Sequence, residues 1–180
     1  MRQEIRISGF GGQGVALAGF VLGKALSLSE GLEVVMTQSY GPEARGGASS
    51  SNLVVADKEI NYPLVQDADV LVAFSQESYT KYRAQTNPDA IVFVDEDLVT
   101  TSKDDQVQRI PATRIAEELG RRIVANMVML GRLAAVTGLA KRESMEKAIQ
   151  TTVRENTVPL NLKAFAAGYE YAPEKEVAHE

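Results

Sequence analysis

The sequence predicts an α/β protein with a Rossmann-like, mostly parallel sheet and a helical C-terminal third. Residues 70–74 and 91–94 are short continuous apolar runs, the pattern of parallel strands that are covered on both faces. Residues 5–37 read as strand, tight turn, helix and strand, which is the βαβ unit. In the last third, two helical stretches stop at Gly120 and Gly138, as helices commonly do.

The N-terminal half contains the βαβ unit, a long loop and a predicted hairpin. The predicted elements of the unit are a strand over 5–8, a helix over 13–28 and a second strand over 32–37. Residues 39–47 are rich in turn formers and have no periodicity, which predicts a loop. Residues 49–56 and 60–62 lie on either side of a short polar segment and predict an inserted β-hairpin.

In the second half, apolar strands alternate with helices. We expect Ser75 to cap the helix after the strand at 70–74, because serine accepts hydrogen bonds from the free amides of a helix start. The other predicted elements are a helix over 76–84, a strand over 107–110 and helices over 113–119, 123–136, 143–154 and 159–168. Residues 1–170 are expected to form one domain, and 171–180, with the lone His179, a disordered tail.

The composition disfavours several functional classes. The net charge of −5 argues against a nucleic-acid-binding surface, and the pair Arg121 and Arg122 falls at a predicted helix end, where cations complement the helix dipole. There is no cysteine, so this chain cannot hold a thiolate zinc site or a cysteine-ligated iron–sulfur cluster. No signal peptide is evident, and no apolar run approaches the roughly 20 residues that span a bilayer. We expect a cytoplasmic protein that does not bind membranes.

A glycine-rich loop after the first strand is the strongest candidate site. Gly9, Gly11 and Gly14 satisfy G-x-G-x-x-G, and Gly12 adds a fourth glycine. Such loops let a ligand approach bare backbone, and the free N–H groups of the following helix favour phosphate. A dinucleotide site also needs an acid at the end of the second strand, and residues 36–40 contain none. NAD(P) and FAD are therefore disfavoured, which leaves a packing turn or a site for another anionic ligand.

A second glycine-containing loop is expected to lie near the first. The loops after the first two strands leave the same carboxyl edge of an open α/β sheet and can line one crevice. This would bring Ser39, Tyr40, Arg45, Gly46 and Gly47 towards the first loop. Tyr40 could stack on a flat ring, and Arg45 could bind phosphate or carboxylate, or simply pair with a neighbouring glutamate.

Other polar positions have two interpretations each. Asn126 stands in an apolar helix, where a buried amide must find hydrogen-bond partners, so we expect it to brace a neighbouring loop, with direct contact to a ligand as the alternative. Gln13 has the same two alternatives. The acidic residues 95–97 follow a core strand and are read as a solvated loop rather than a Mg²⁺ site.

The two loops together resemble the paired signature of the γ subunit, or γ domain, of pyruvate, 2-oxoglutarate and branched-chain 2-oxoacid:ferredoxin oxidoreductases. The paired segments are Gly9-Phe10-Gly11-Gly12-Gln13-Gly14 and Gln38-Ser39-Tyr40-Gly41-Pro42-Glu43-Ala44-Arg45-Gly46-Gly47. Further matching segments are Asp67-Ala68-Asp69-Val70-Leu71-Val72, Ala116-Glu117-Glu118-Leu119-Gly120, Asn126-Met127-Val128-Met129-Leu130-Gly131 and Lys163-Ala164-Phe165-Ala166-Ala167-Gly168. The similarity covers residues 5–168, nearly the whole chain.

The resemblance implies a division of labour between subunits. Enzymes of this family decarboxylate a 2-oxoacid on thiamine diphosphate, pass electrons through [4Fe-4S] clusters to ferredoxin, and transfer the acyl group to coenzyme A. It implies α, β and δ-type partner subunits that carry the thiamine diphosphate and the clusters, and a γ subunit that is inactive alone and lies beside the coenzyme A. The residues expected to bind the cofactor, coenzyme A by this resemblance, are Gly9, Gly11, Gly12, Gln13, Gly14, Ser39, Tyr40, Arg45, Gly46, Gly47 and Asn126. No catalytic or metal-binding residue is expected in this chain.

Two alternatives stay open at this point. The small subunit of an indolepyruvate ferredoxin oxidoreductase shares the same domain, and a stand-alone nucleotide-binding module would carry a similar glycine loop. The resemblance gives only a mild preference for 2-oxoglutarate among the 2-oxoacids, because the substrate pocket is expected mostly on other chains.

Overall fold

The computed structural model describes residues 1–40 and 47–173. The strands are β1 (Arg2–Gly9), β2 (Glu33–Ser39), β3 (Ser49–Ala56), β4 (Ala68–Ala73), β5 (Thr86–Asp95) and β6 (Gln108–Ile110). The helices are α1 (Val15–Leu28), α2 (Gln76–Tyr82), α3 (Ala112–Glu118), α4 (Ala125–Thr137), α5 (Arg142–Gln150) and α6 (Val158–Glu170). These elements confirm the predicted α/β class and the helical C-terminal third.

The six strands form one sheet in the order β2-β3-β1-β4-β5-β6. The pairs β1–β4, β4–β5 and β5–β6 are parallel, whereas β3 runs antiparallel to both of its neighbours, β1 and β2. Because β1 and β2 both oppose β3, they run in the same direction and end at the same edge of the sheet. The predicted mostly parallel sheet is therefore confirmed, with β3 inserted between the two strands of the βαβ unit.

The predicted hairpin between residues 49–56 and 60–62 is not formed, because residues 60–62 form no strand. Instead, β3 forms an antiparallel pair with β2, the strand that precedes it, over the full length of β2. Both edges of β3 are occupied, because β1 pairs along its other side. The segment after β3 also contains Pro63, which has no N–H to give to a ladder.

Alternating side chains divide the core between the two faces of the sheet. On one face, α1 and α4 cover apolar residues that include Ile5, Ile7 and Phe93. On the other face, α2 covers a smaller cluster that includes Leu71 and Val94. This second face is apolar on β4 and β5 but carries polar side chains on β1–β3.

Glycines and a serine fix the positions of the helices. Ser75 caps α2 as predicted, since its hydroxyl accepts from the backbone N–H of Ser78 at 3.2 Å. α4 and α6 approach so closely that a Cβ on Gly131 would collide with the carbonyl oxygen of Phe165. In the same way, a Cβ on Gly168 would collide with the carbonyl oxygen of Val128. The two glycines therefore permit backbone-to-backbone packing that other residues would prevent.

Two further predictions concern the limits of the chain. The single domain over 1–170 stays a prediction, and most of its predicted tail, including His179, lies outside the described residues. In the part of the chain that the structure describes, no helix is both long and apolar enough to cross a membrane.

Candidate functional site

The glycine loop joins β1 to α1 at the carboxyl edge of the sheet. Gly12 and Gly14 adopt the left-handed backbone region, with φ of 89° and 72°, and Gly14 is the N-cap of α1. The backbone N–H of Gln13 donates to the carbonyl oxygen of Phe10 at 3.2 Å, which closes the turn. Gly14 provides no side-chain cap, so the first amides of α1 remain available at this edge.

Two of the loop's glycines are required by packing. A Cβ on Gly9 would lie 2.5 Å from Oε1 of Gln13 and 2.9 Å from Cβ of Phe74. A Cβ on Gly14 would collide with the amide of Asn126. The interpretation of the motif as a packing turn therefore accounts for Gly9 and Gly14.

Gln13 braces the loop with both ends of its amide. Its Oε1 accepts from the backbone N–H of Phe10 at 2.7 Å, and its Nε2 donates to the carbonyl oxygen of Phe74 at 2.9 Å. The side chain thus ties the loop to the end of β4. Of the two interpretations of Gln13, the brace is the one that the contacts display.

Asn126 has an equivalent role at the start of α4. It is 2% exposed, its Nδ2 donates to the carbonyl oxygen of Gly14 at 3.2 Å, and its Oδ1 accepts from the N–H of Met127 at 2.8 Å. The residue holds the N-terminus of α1 against α4. Bracing was the preferred interpretation of this buried amide, and the geometry agrees with it.

Gly11 and Gly12 leave the backbone of the loop bare. Both are exposed, and a Cβ on either would meet no atom within 4 Å. The positive φ explains the glycine at 12, but Gly11 has neither a positive φ nor a close neighbour. Nothing in the described part of the chain therefore requires glycine at 11, whereas a ligand or a partner chain that approaches the backbone would.

Two clefts flank the loop and share the exposed side chain of Ile123. The first, which we call the strand-side cleft, has a volume of ≈ 270 Å³ and includes Gly12, Phe74 and Arg122. The second, the helix-side cleft, has a volume of ≈ 480 Å³ and lies at the N-terminus of α1. Its lining includes Gly14, Arg121, Asn126, Arg154, Asn156 and Asn161.

Three arginines converge on these clefts. Arg121 and Arg154 line the helix-side cleft, and their guanidinium groups make no hydrogen bond or ion pair with any described residue. Arg122, in the strand-side cleft, lies 3.9 Å from a carboxylate oxygen of Glu117, both being largely exposed. In a chain of net charge −5, this edge therefore has a local excess of positive charge.

The sequence interpretation missed the arginines. Arg121 and Arg122 were expected at a helix end and do follow the C-terminal end of α3, but they also line the two clefts beside the glycine loop. Their position just before the Asn126 segment was the one available signal. Arg154 lies far along the chain, and only the packing of the helices brings it to the same cleft.

The second loop leaves the same edge as the first, as predicted. β2 ends at Ser39, which pairs with Ser50, and Ser49 donates its hydroxyl to the carbonyl oxygen of Gly9 at 3.2 Å. Ser39, however, lines a third cleft on the face of the sheet opposite α1. Tyr40 is 73% exposed and its hydroxyl donates to the side chain of Gln38.

Of the other predicted site residues in the second loop, the structure describes only Gly47. Gly47 is half-buried, whereas Arg45 and Gly46 lie outside the described residues. The structure thus brings the first loop, Asn126 and three arginines together, whereas neither Ser39 nor Tyr40 lines the two clefts at the glycine loop.

The acidic residues 95–97 have structural partners, and the prediction of a solvated loop is wrong for Asp95, which is the last residue of β5. Asp95 is fully buried, and its Oδ2 accepts from the N–H and the hydroxyl of Thr113 at 3.0 and 2.6 Å. Burial raises the pKa of Asp95, while its hydrogen bonds oppose that shift. Glu96 and Asp97 pair with Arg114 at 3.0 and 2.6 Å. No cluster of metal-binding side chains occurs among the described residues.

Comparison with known proteins identifies the family of this chain. Residues 4–171 match the family model of pyruvate ferredoxin/flavodoxin oxidoreductase. The chain is 52% identical to the 2-oxoglutarate synthase subunit KorC of Methanocaldococcus jannaschii, over 97% of this chain and 96% of that protein. It is 27% identical to the indolepyruvate oxidoreductase subunit IorB of Archaeoglobus fulgidus, over 96% of each.

A solved structure has the same fold at high similarity. The γ subunit of a keto/oxoacid ferredoxin oxidoreductase from Geobacter sulfurreducens superposes with a TM-score of 0.86 at 41% identity, over 94% of this chain and 95% of that one. The chain therefore belongs to the pyruvate ferredoxin/flavodoxin oxidoreductase family, as the γ subunit of a 2-oxoacid:ferredoxin oxidoreductase.

Proposed function

We propose that this chain receives the phosphates of coenzyme A in an oxidoreductase that acts on 2-oxoglutarate. The observation that supports the coenzyme A role most strongly is the bare backbone at Gly11 and Gly12, beside an uncapped helix N-terminus and three arginines. The choice of 2-oxoglutarate follows the relative at 52% identity, whereas the indolepyruvate subunit is only 27% identical.

The site offers the interactions that phosphate groups need. The free amides and the positive dipole end of α1 favour an anion, and the absence of side chains at Gly11 and Gly12 allows close approach. Arg121 and Arg154 have no anionic partner among the described residues, so they are available for phosphate oxygens. Gln13 and Asn126 hold the loop in place for this contact.

The chemistry itself is assigned to the partner subunits. The thiamine diphosphate supplies the decarboxylation and the [4Fe-4S] clusters supply electron transfer to ferredoxin, and both belong to α, β and δ-type subunits in this proposal. The present chain has no cysteine, which fits a role without a cluster. Its contribution is to bind and orient the acyl acceptor, and by the family resemblance we assign part of this binding to Tyr40, Arg45, Gly46 and Gly47 of the second loop.

Steady-state kinetics of the reconstituted complex test the arginines. We expect Arg121→Ala and Arg154→Ala each to raise KM for coenzyme A roughly tenfold, because each removes a charge-assisted hydrogen bond. KM for 2-oxoglutarate should stay unchanged. Arg114→Ala is the matched control, since Arg114 is exposed and already paired with Glu96 and Asp97. Equal KM values for coenzyme A in all three variants would show that neither Arg121 nor Arg154 binds coenzyme A.

Two further measurements complete the test. An Arg45→Ala complex that keeps its coenzyme A affinity in calorimetric titration would exclude Arg45 from the site. Assay of the complex against a panel of 2-oxoacids checks the substrate, and a preference for indolepyruvate over 2-oxoglutarate would favour the alternative enzyme.

A further inference from the structure

A positive charge with no carboxylate partner among the described residues is buried on the face of the sheet opposite α1. Arg6 of β1 is 6% exposed, while its neighbours Ile5 and Ile7 point into the core under α1. Arg6 lies directly across from Asn52 of β3, which in turn lies across from Thr37 of β2. A polar row thus crosses the three strands on the part of this face where the apolar cluster under α2 does not extend.

The partners of Arg6 are all neutral. Its Nε donates to Oδ1 of Asn52 at 2.8 Å, its Nη1 to Oε1 of Gln85 at 2.9 Å, and its Nη2 to the carbonyl oxygen of Val65 at 3.2 Å. The guanidinium also stacks on the ring of Tyr82, with 4.7 Å to the centroid. Since a guanidinium has five N–H donors, two have no acceptor in the described part of the chain.

No described carboxylate neutralises this charge by direct contact. Burial lowers the pKa of Arg6, while Tyr82, Glu4 and Asp67 oppose that shift, and neither carboxylate lies within the 4.0 Å of an ion pair. The carboxylate of Glu4 is already bonded to Arg2 and to the N–H of Gln66, each at 2.7 Å. A buried, unpaired cation is costly, so its presence calls for an anion at this position.

The cleft beside Arg6 has room and further donors for such an anion. It has a volume of ≈ 320 Å³, and its walls include Thr37, Ser39, Ser50 and Asn52. The Oγ of Ser50 accepts from Nδ2 of Asn52 at 3.2 Å and from the hydroxyl of Tyr82 at 3.5 Å, so its own O–H is free to donate. The cleft therefore combines one cation with several hydroxyl groups and contains no acidic side chain among its lining residues.

We propose that the cleft at Arg6 is a carboxylate-binding site, separate from the glycine loop and on the opposite face of the sheet. The two free N–H groups of a nearly buried guanidinium match the two oxygens of a carboxylate, and the Ser50 hydroxyl adds a third donor. A phosphate group concentrates a second charge on the same few oxygens, for which the cleft offers no second cation, whereas the second carboxylate of a dicarboxylic acid is separated from the first and can stay in water. The carboxylate comes from a small free acid or from a partner subunit, and the chemistry of the contact is the same.

Titration of the full-length chain with succinate tests the site directly. Two-dimensional NMR follows the Nε–H signal of Arg6 and the amides of Ser50 and Asn52, at constant ionic strength. We expect saturable shifts with a Kd on the order of 1 mM, since a small ligand gains few contacts. Arg6→Met should weaken binding at least about tenfold. Arg109→Met is the matched control, because Arg109 also bonds only to neutral oxygens, outside this cleft.

Two more variants keep the test valid if Arg6→Met does not fold. Ser50→Ala removes the proposed hydroxyl donor, along with the acceptor of Asn52 and Tyr82, and should weaken succinate binding severalfold. Arg6→Lys, which keeps the charge but not the fork, should weaken it less than Arg6→Met. The absence of saturable shifts in the wild-type chain up to about 50 mM succinate, or equal binding by Arg6→Met, would overturn the proposal. Displacement of succinate by a lower concentration of inorganic phosphate would overturn it as well.

The source of the carboxylate is settled by two additional arms. If succinate still binds after the partner subunits are added, the ligand is a free acid. If assembly abolishes succinate binding and Arg6→Met weakens assembly, a partner subunit supplies the carboxylate. Glu43 lies outside the described residues. If the chain binds succinate only after Glu43 is replaced by glutamine, the carboxylate of Glu43 fills the cleft in the wild-type protein. That result would contradict the proposal.

Discussion

At the scale of single residues, the glycines of the first loop serve different purposes. Gly14 has a positive φ and lies against Asn126, so the fold itself needs it. Gly11 is exposed and unconstrained, so the isolated chain does not need it. The same residue type in one motif therefore supports two separate functions, packing and access to the backbone.

Substitution of these two glycines should separate stability from binding. Gly14→Ala combines a strained backbone with a collision at Asn126, and we expect it to lower the free energy of unfolding by about 2–4 kcal/mol. Gly11→Ala should change it by less than about 0.5 kcal/mol while raising KM for coenzyme A in the complex. Chemical denaturation and steady-state kinetics check the pair. A stable Gly14→Ala protein, or a Gly11→Ala complex with unchanged kinetics, would contradict these assignments.

The sequence identified this loop but could not assign its parts. The motif pattern treats Gly9, Gly11 and Gly14 alike, and the distinction depends on which atoms surround each Cα. The brace by Asn126 was favoured because a buried amide needs partners, but its acceptor on Gly14 is 112 positions away along the chain. Such a contact is visible only after folding.

At the scale of elements, a side chain from another part of the chain caps the N-terminus of α5. Its N-cap position is Lys141, which provides no side-chain cap. Instead, Oε1 of Glu30, just after α1, accepts from the N–H of Lys141 at 3.0 Å and from the hydroxyl of Ser144 at 2.5 Å. A carboxylate at a helix N-terminus also interacts favourably with the helix dipole. Glu30 thus links the end of α1 to the start of α5.

This capping should depend on pH. The two hydrogen bonds lower the pKa of Glu30 from its ordinary value of 4.5. A carboxylate with a lowered folded-state pKa stabilises the fold above its unfolded pKa, and that stabilisation is lost as the pH falls through the folded pKa. We expect Glu30→Gln to cost about 1 kcal/mol at neutral pH and nothing in strong acid, with surface screening keeping the cost small.

Denaturation of both proteins across the acidic range measures the difference. Glu33→Gln is the control, because Glu33 is exposed and makes no side-chain hydrogen bond or ion pair with the described residues. A Glu30→Gln difference that persists unchanged below pH about 3 would mean that the charge of Glu30 is not responsible.

The contact between α4 and α6 makes a second prediction at this scale. A Cβ on Gly168 would meet the backbone of Val128, which cannot rotate away, so the helices must separate to accept it. We expect Gly168→Ala to lower the free energy of unfolding by more than about 3 kcal/mol. Ala167→Ser, at the adjacent half-buried position, should cost less than about 1 kcal/mol. Thermal unfolding of both variants is the measurement, and equal melting temperatures would contradict the close contact.

Elements that have a signal in their own sequence were predicted correctly, whereas the pairing of a strand with a partner elsewhere in the chain was not. The continuous apolar runs of β4 and β5 and the glycine stops predicted strands and helices near their observed positions. The predicted partner strand of β3 was wrong. Residues 60–62 were chosen because they follow β3 closely in the sequence, whereas the observed partner, β2, ends ten residues before β3 begins. Strand pairing is decided by the whole sheet, which local alternation does not encode.

At the scale of the whole molecule, charge is distributed unevenly. Acidic residues outnumber basic ones by 24 to 19, yet Arg121, Arg122 and Arg154 gather at the glycine-loop edge and Arg6 is buried on the opposite face. None of this is visible in net charge or in sequence spacing. Arg6, Arg121 and Arg154 have no carboxylate partner among the described residues, which fits the proposals that ligands or partner subunits supply the anions.

The chain should therefore be inactive alone and become active on assembly. It has no cysteine, and its described residues contain no metal-binding cluster, so chemical reconstitution with iron and sulfide should give no visible chromophore. Partner subunits prepared without this chain should keep their full iron content but lose coenzyme-A-dependent turnover, and adding the chain should restore it. The measurements are visible absorbance, iron analysis and dye-linked 2-oxoglutarate oxidation. A coloured isolated chain, or full turnover without it, would contradict the division of labour.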